Sequence, residues 1–254
     1  MTGKSPRPYG RGEYGNPTEA KFMIEARPFA ALGKFRNDWL ESYFHFSFAE
    51  YHDPRRMGVG SLRVWNDDTI KPGTGFDMHP HRDMEIITCM RSGAITHEDN
   101  AGNRGRTGAG EVQVMSAGTG IVHSEFNLET GDTTLVQIWI VPAETGVSPH
   151  WETRAFPQVE AAGSLCVLAS GRANDDGALP IHQDAAVIAT ALTAGQRVSH
   201  GLAAGRFAYL VPTVGAVTVN GVRIDTRDGA AIADETQIVI EALEDAEIVL
   251  VDTV

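Results

Sequence analysis

Five side chains in two short segments could bind a metal ion. The segment HPHRDMEIIT carries His79, His81 and Glu85, and the segment GIVHSEFN carries His123 and Glu125. Residues two apart in a β-strand point to the same side, so each pair would face one interior. Imidazole and carboxylate ligands without a thiolate suit borderline metals such as Fe(II), Mn, Ni, Cu or Zn. Two such strands side by side would give a four-ligand site of His79, His81, His123 and Glu125.

The remaining candidates are less specific. An HxH pair alone is a weak signal, but an HxE pair about forty residues later, with glycines between, strengthens it. Glu85 has three readings: a fifth ligand, an acceptor that orients an imidazole, or a strand residue that faces a polar pocket. His97 is either structural or pocket-lining. The other histidines are interpreted as core or surface residues: His45, His52, His150, His182 and His200.

The elements that would position these residues are short strands. YFHFSFAEY alternates strictly between two faces, and runs such as EVQVMSA, TLVQIWIV, AVTVNGVRI and AEIVLVDTV are separated by Gly, Asn, Asp and Pro. This pattern predicts an all-β sandwich or barrel. Helical signals are weak, and NDWLESY and HQDAAVIATAL are the only candidates for short helical turns.

The two halves of the chain have a similar rhythm of strand pairs and glycine turns, which indicates a duplicated β-barrel. A cluster of Pro and Gly in VPAETGVSPHWE marks the predicted boundary. We expect an N-terminal extension over residues 1–24, a metal-binding barrel over 25–141 and a second barrel over 142–254.

Charge and composition exclude several classes. The net charge is −12, with 15 basic and 18 acidic side chains in residues 1–141 and 6 and 15 in residues 142–254. A face that follows phosphates needs clustered positive charge, so we expect no direct nucleic-acid binding. The N-terminus has no apolar signal region, and no apolar run reaches the ~18 residues of a membrane span. Two separate cysteines in apolar runs, Cys89 and Cys166, fit buried thiols in the cytoplasm.

The motifs resemble a known family. Gly73, His79, His81 and Glu85 have the spacing of the first cupin motif. The second cupin motif is matched by Gly110, Gly118, Gly120, His123 and Asn127. HPHRDMEIIT, ITHEDNAGN and VMSAGTGIVHSE, with FHFSFAEYHDP and LRVWNDD upstream, are more specifically similar to the pirin family. The resemblance implies a bicupin, in which two antiparallel jelly-roll β-barrels pack face to face.

The resemblance also implies a ligand set. In pirins the metal lies in the N-terminal barrel, and its ligands match His79, His81, His123 and Glu125 here. The general cupin pattern would use Glu85 in place of Glu125. One divalent transition metal is expected, with Fe(II) favoured and Mn, Ni, Co, Cu or Zn as alternatives. Residues 142–254 contain no HxH pair, so we expect the second barrel to be metal-free.

Two functions follow from the resemblance. Some pirin-like proteins are similar to quercetin 2,3-dioxygenases, which open flavonols with molecular oxygen and release carbon monoxide. Glu125 would then act as general base on a small planar aromatic substrate, in a slot for which Met78, Phe126, Phe46 and Ile121 are candidate walls. Alternatively, the protein is a redox-sensitive metal-binding regulator that binds protein partners, as transcription cofactors do. An opening to solvent at the barrel mouth favours the enzyme.

Overall fold

The computed structural model describes residues 24–156 and 163–254, and these are almost entirely β-strands. A single-turn 3₁₀ helix spans Phe29–Ala31. The strands up to residue 156 are β1 (Ile24–Arg27), β2 (Gly33–Arg36), β3 (Leu40–Phe44), β4 (Leu62–Ile70), β5 (Thr74–His81), β6 (Glu85–Ser92), β7 (Ala94–Asp99), β8 (Arg104–Gly108), β9 (Glu111–Ser116), β10 (Ile121–Asn127), β11 (Thr133–Ile140) and β12 (His150–Ala155).

The strands after residue 162 are β13 (Cys166–Ser170), β14 (Leu179–Pro180), β15 (Ala185–Leu192), β16 (Arg197–Gly201), β17 (Phe207–Val214), β18 (Val217–Val219), β19 (Val222–Ile224), β20 (Gly229–Ile232), β21 (Gln237–Ala242) and β22 (Ala246–Thr253). No helix among the described residues is long and apolar enough to cross a bilayer. The predicted extension lies outside the described residues except for Ile24, which begins β1.

Each half of the molecule is a barrel made of one seven-stranded and one four-stranded sheet. The first barrel has the orders β12-β9-β6-β11-β4-β3-β2 and β5-β10-β7-β8, and the second has β1-β20-β17-β22-β15-β13-β14 and β16-β21-β18-β19. Every pairing is antiparallel except β13 with β14. The repeated seven-plus-four arrangement confirms the predicted all-β bicupin.

The two seven-stranded sheets pack face to face. Their facing sides form one apolar cluster, which includes Trp65, Ile87 and Ile138 from the first barrel and Val187 and Tyr209 from the second. Burial of this apolar surface is the main force that holds the barrels together. Hydrogen bonds across the same boundary join His45 to Tyr209, Arg227 to Asp67 and Gln183 to the carbonyl of Val141.

The two barrel interiors differ in chemistry. The second is filled by aliphatic side chains such as Ile188, Leu210 and Ile240. In the described part of the first barrel, two apolar clusters lie toward its ends, where Leu135 pairs with Met90 and Trp139 pairs with Ile86. Between them, the inward positions hold buried polar side chains: Asn66, Asp68, Thr88, His97, Gln113, His123 and Glu125. A buried polar interior costs stability unless its groups are paired, so this barrel is built around a polar site.

Two strands cross the predicted domain boundaries. β1 pairs with β20 at the edge of the second barrel's sheet, although its residues belong to the N-terminal part of the chain. β12 follows the Pro and Gly cluster but pairs with β9 at the edge of the first barrel's sheet. Each barrel therefore takes one edge strand from the other part of the chain. A division between residues 141 and 142 separates β12 from the sheet with which it pairs.

Two sequence expectations about local structure are wrong. NDWLESY and HQDAAVIATAL contribute to the strands β3 and β15, not to helical turns. β15 contacts apolar surface on both sides, because Ala186 and Ile188 face the second barrel's interior while Ala185 and Val187 face the first barrel. A strand buried on both faces loses its alternation and cannot be distinguished from a helix by periodicity.

Candidate metal centre

Three imidazoles meet on two neighbouring strands of the first barrel. β5 and β10 pair in a register that places His79 opposite His123 and His81 opposite Ile121. The ring centroids lie 4.4 Å apart for His79 and His123, 4.8 Å for His79 and His81, and 5.1 Å for His81 and His123. One ring nitrogen from each of the three lies within 4.8 Å of the others. This spacing lets three nitrogens share one ion.

A glycine permits the close approach of the two strands. A Cβ atom at Gly75 would lie 2.1 Å from the carbonyl oxygen of Glu125. The β5–β10 register also shifts between His123 and Glu125, where an irregularity in the pairing puts Glu125 opposite Phe76. Gly75 and the irregularity in the pairing together determine how His123 and Glu125 lie against β5.

The imidazole of His123 has a nitrogen available for a ligand. Its Nδ1 lies 3.2 Å from Nδ1 of His97, whereas its buried Nε2 has no hydrogen-bond partner among the described residues. Burial, with the nearby rings of His79, His81 and His97, lowers the pKa of His123 to about 2. Burial and His79 lower the pKa of His81 to about 4. Both rings are neutral at neutral pH, so their lone pairs fit a metal ion.

Glu125 is fully buried and held by two glutamines. Its Oε1 accepts a hydrogen bond from Gln113 Nε2 at 2.5 Å, and its Oε2 accepts one from Gln137 Nε2 at 3.0 Å. Burial raises the pKa of Glu125, and the nearby imidazoles of His97 and His79 and the two amide hydrogen bonds oppose this rise. One carboxylate oxygen of Glu125 and one ring nitrogen each of His97 and His123 lie within 4.8 Å of one another. Glu125 does not form such a group with His79 and His81 together.

Each glutamine is in turn oriented by a tryptophan. Trp139 Nε1 donates to Gln137 Oε1 at 2.9 Å, and Trp151 Nε1 donates to Gln113 Oε1 at 3.2 Å. An indole N–H can only donate, so each glutamine must turn its oxygen to the tryptophan and its NH₂ to Glu125. Each Trp–Gln pair therefore directs an amide N–H donor to one oxygen of Glu125. Hydrogen bonds to both oxygens favour the ionised form of the carboxyl group.

Aromatic side chains line the solvent side of the imidazole cluster. Trp139 lies edge-on to His81 at 4.9 Å, and Phe48 lies edge-on to Trp139 at 5.4 Å. Of the predicted walls, Met78 is 54% exposed on the edge strand β5 and Phe126 is half-buried. Phe46 packs on Tyr209 between the barrels and so lies elsewhere, whereas Ile121 lies opposite His81 and belongs to the apolar end cluster against which Trp139 packs.

Glu85 faces away from the imidazole cluster. The strand that carries His79 and His81 ends at His81, and Asp83 has a φ of 47°, so β6 begins at Glu85 in the other sheet. Glu85 Oε2 accepts a hydrogen bond from Ser116 at 2.6 Å, and its Oε1 lies 3.5 Å from Nδ1 of His182. Glu85 therefore does not share the face of His79 and His81, and of its three interpretations the structure favours a strand residue in a polar environment.

His97 is a buried partner of the cluster. Its Nε2 lies 2.9 Å from Asp99 Oδ2, and its ring stacks on Trp151 with centroids 4.8 Å apart and planes 9° apart. Burial raises the pKa of Asp99, but hydrogen bonds from His97 and Asn103 outweigh it and hold that pKa below its usual value. His97 thus contacts the site through His123, a role that the sequence left open.

The residues around Glu125 were missed by the sequence analysis, although a signal was present. Gln113 and Gln137 are single amides inside the apolar runs EVQVM and TLVQIWIV, on the inward-facing side of their strands. A polar residue at an inward position of an apolar strand needs a buried partner. The histidines of the second barrel are elsewhere: His182 lies near Glu85, and His200 lies 2.7 Å from Asp252.

Comparisons with known proteins agree with the fold. The family model described as Pirin matches residues 25–140, and the one described as Quercetinase C-terminal cupin domain matches residues 167–253. A pirin-like protein of Caulobacter vibrioides is 55% identical over 230 residues, which cover 91% of this chain and 99% of the relative. Quercetin 2,3-dioxygenase of Escherichia coli K12 is 44% identical over 231 residues, covering 91% of this chain and 98% of that protein.

A solved structure is similar over the same length. The bacterial pirin YhhW of Escherichia coli, in complex with nickel(II), has a TM-score of 0.86 and 44% sequence identity to this chain. The match covers 91% of this chain and 99% of that one. The shared fold therefore includes both barrels and the strands that carry the imidazole cluster.

Proposed function

The chain belongs to the pirin family, and from that membership and the geometry of its site we propose that it is a metal-dependent dioxygenase that cleaves flavonols with molecular oxygen. The observation that carries this proposal is the meeting of three imidazoles beside a buried carboxylate that is held by two glutamines. A relative that is 44% identical is named quercetin 2,3-dioxygenase, which supports the same activity.

We assign one divalent metal ion to the first barrel, with His79, His81, His123 and Glu125 as ligands. Three nitrogens and one carboxylate suit Fe(II), our first choice, and also Mn, Ni, Co, Cu or Zn. The nickel(II) complex of the Escherichia coli pirin supports a borderline divalent ion at such a site. Metal analysis of protein purified without oxygen would decide which ion this chain carries.

Glu125 is the proposed general base. Burial raises its pKa, which makes the carboxylate a better proton acceptor than an exposed glutamate. Each carboxylate oxygen keeps a second acceptor site when it binds a glutamine amide, so the substrate hydroxyl can approach without breaking the clamp. The bound metal ion would supply Lewis-acid charge and an open position for the deprotonated 3-hydroxyl group of the flavonol.

Trp139 and Phe48 are the proposed walls for the planar substrate. The Trp139 ring lies next to the half-buried His81 and the Phe48 ring lies against Trp139, so an aromatic ring system could stack or make edge contacts there. Trp139 also donates a hydrogen bond to Gln137, which in turn binds Glu125. The same side chain would therefore contact the substrate and orient Gln137 toward Glu125.

Oxygen uptake with quercetin tests this function. Metal-loaded wild type should consume oxygen in proportion to quercetin, whereas Glu125→Ala and His123→Ala should lose nearly all turnover. Glu98→Ala is the matched control, because Glu98 is an exposed carboxylate on the same sheet. Metal content measured in the same samples separates loss of the ion from loss of the base. Fully loaded wild type without uptake would refute the enzyme and favour the regulatory alternative.

A further inference from the structure

Three buried side chains form a continuous hydrogen-bonded chain behind the imidazole cluster. Asp99 Oδ2 lies 2.9 Å from His97 Nε2, and His97 Nδ1 lies 3.2 Å from His123 Nδ1. The side chains of His97 and Asp99 have no exposed area, and His123 is 2% exposed. The far nitrogen of His123, Nε2, has no hydrogen-bond partner among the described residues, and one ring nitrogen of His123 lies within 4.8 Å of those of His79 and His81.

The contacts of Asp99 determine which atoms donate and which accept in this series of hydrogen bonds. Its Oδ1 accepts the backbone N–H groups of Ala101 and Asn103 at 2.9 and 3.0 Å, and its Oδ2 accepts the side-chain amide of Asn103 at 2.8 Å. A carboxylate that holds three N–H donors is an acceptor, so His97 must donate to it from Nε2. With one proton on each ring, His97 Nδ1 accepts, and His123 donates from Nδ1.

We propose that Asp99 and His97 are positioning residues that fix the tautomer of His123, leaving its Nε2 unprotonated for the metal ion. The proposal rests on the ligand role of His123 given above, but not on the reaction that the metal supports. Groups that orient a ligating histidine through its second nitrogen set both ring orientation and ligand basicity.

Packing prevents His97 from turning out of this chain. Its ring is stacked on Trp151, whose indole lies against Gly105, where a Cβ atom would be 2.3 Å from the ring. Trp151 also holds Gln113 and so reaches Glu125. One tryptophan on the exchanged strand β12 therefore supports both the His123 side and the Glu125 side of the site.

Replacing Asp99 by asparagine should reverse the direction of hydrogen-bond donation along the series Asp99, His97 and His123. The asparagine oxygen would stay on the backbone N–H groups of Ala101 and Asn103, so its NH₂ would face His97 Nε2. His97 would then carry its proton on Nδ1 and donate to His123, whose own proton would move to Nε2 and block the metal. Asp99→Ala removes the constraint without imposing the wrong tautomer, so it should be the milder change.

The rank order of these variants distinguishes positioning from simple support. We expect Asp99→Asn to weaken nickel(II) binding about 10- to 100-fold, and more than Asp99→Ala, in competition with a chelating dye at one fixed pH. If Asp99 only supports the fold, the near-isosteric asparagine should be the milder change. Thermal unfolding of the metal-free variants provides the contrast, because there we expect Asp99→Asn to be closer to wild type than Asp99→Ala.

Nitrogen-15 NMR of the metal-free protein reads the tautomer directly. Wild type should show His123 protonated on Nδ1, and Asp99→Asn should show it protonated on Nε2. His200→Gln is the matched control, because His200 makes a similar contact with Asp252 in the second barrel, and it should keep wild-type nickel affinity. A wild-type His123 protonated on Nε2, or an Asp99→Asn variant that binds nickel as tightly as wild type, would overturn the proposal.

The proposed function and this inference can fail separately. A wild type that binds nickel at His123 but consumes no oxygen with quercetin refutes the dioxygenase, while the tautomer and the order of the Asp99 variants still decide the role of the pair. Full nickel binding by His123→Ala would refute the ligand role on which the pair depends.

Discussion

The chemistry of the site depends on which atoms of His123 and Glu125 carry a proton and which have a lone pair available. His123 has a buried nitrogen without a protein partner, and Glu125 has both oxygens held by amides that cannot turn round. Neither condition is a property of a histidine or a glutamate alone. Each depends on a neighbour that can only donate or only accept, namely the indoles of Trp139 and Trp151 and the carboxylate of Asp99.

The two acidic candidates should separate cleanly. Glu125→Gln removes a negative charge and places an NH₂ group against one of the two glutamine NH₂ groups, so metal affinity should fall more than the about 10- to 100-fold loss typical of orienting residues. Glu85→Gln should keep near wild-type affinity, because Glu85 faces Ser116 and His182 instead. Competition with a chelator measures both. The reverse order would replace the pirin ligand set by the general cupin set.

At the scale of elements, alternation predicted that His79 and His81 share a face, and β5 has that geometry. The alternation does not extend to Glu85, because Asp83 has a positive φ and a new strand begins at Glu85 in the other sheet. The partners Gln113 and Gln137 could not be assigned to Glu125 from sequence, since their strands β9 and β11 lie in the opposite sheet. Contacts between sheets depend on how the barrel closes, which local periodicity does not encode.

The spacing of β5 and β10 should depend on Gly75. In Gly75→Ala the new methyl group meets the carbonyl of Glu125, so the strands must separate. Overpacking of this kind costs about 1–3 kcal/mol, and it should also lower metal affinity because His79 moves with β5. Urea unfolding and nickel titration check both effects.

Gly201→Ala is the control for this experiment. Gly201 is also a strand glycine, but nothing lies within 4 Å of a Cβ atom built there. Its stability and nickel affinity should stay near the wild-type values. Equal losses in the two variants would show that β-strand glycines matter for general reasons and not for the approach of β5 to β10.

For the whole molecule, the duplicated rhythm of the sequence predicted two barrels, and the structure has them with matching sheets. The exchange of β1 and β12 between the barrels was not predictable, because a strand's sequence does not name the edge with which it pairs. The consequence is functional, since β12 carries Trp151 to the site in the first barrel. Neither half of the chain therefore contains all the residues that support the site.

The boundary between the barrels should make stability depend on pH through His45. Burial, with the charges of Arg27, Arg56 and Arg227, lowers the pKa of His45 from 6.5 to about 3. The unfolded chain therefore binds the extra proton first, and the free energy of unfolding decreases as pH falls from 6.5 toward 3, by up to about 1.4 kcal/mol per pH unit. His45→Asn should remove this contribution from the pH slope of the metal-free protein.

Tyr209→Phe is the control for the slope. It removes the hydroxyl that lies 2.8 Å from His45 Nδ1 but leaves the imidazole in place, so overall stability should fall while the dependence on pH persists. Urea unfolding at a series of pH values gives both quantities. A His45→Asn protein with the same slope as wild type would show that His45 does not titrate between the folded and unfolded states in this range.

Metal content per chain tests the central claim most directly. Wild type purified without oxygen should contain about one equivalent of divalent metal. His79→Ala, His81→Ala and His123→Ala should each lose most of it, and the second-barrel variant His200→Ala should keep it. A full equivalent in any of the three cluster variants would remove that residue from the site, and a full equivalent in all three would contradict a metal centre in the first barrel.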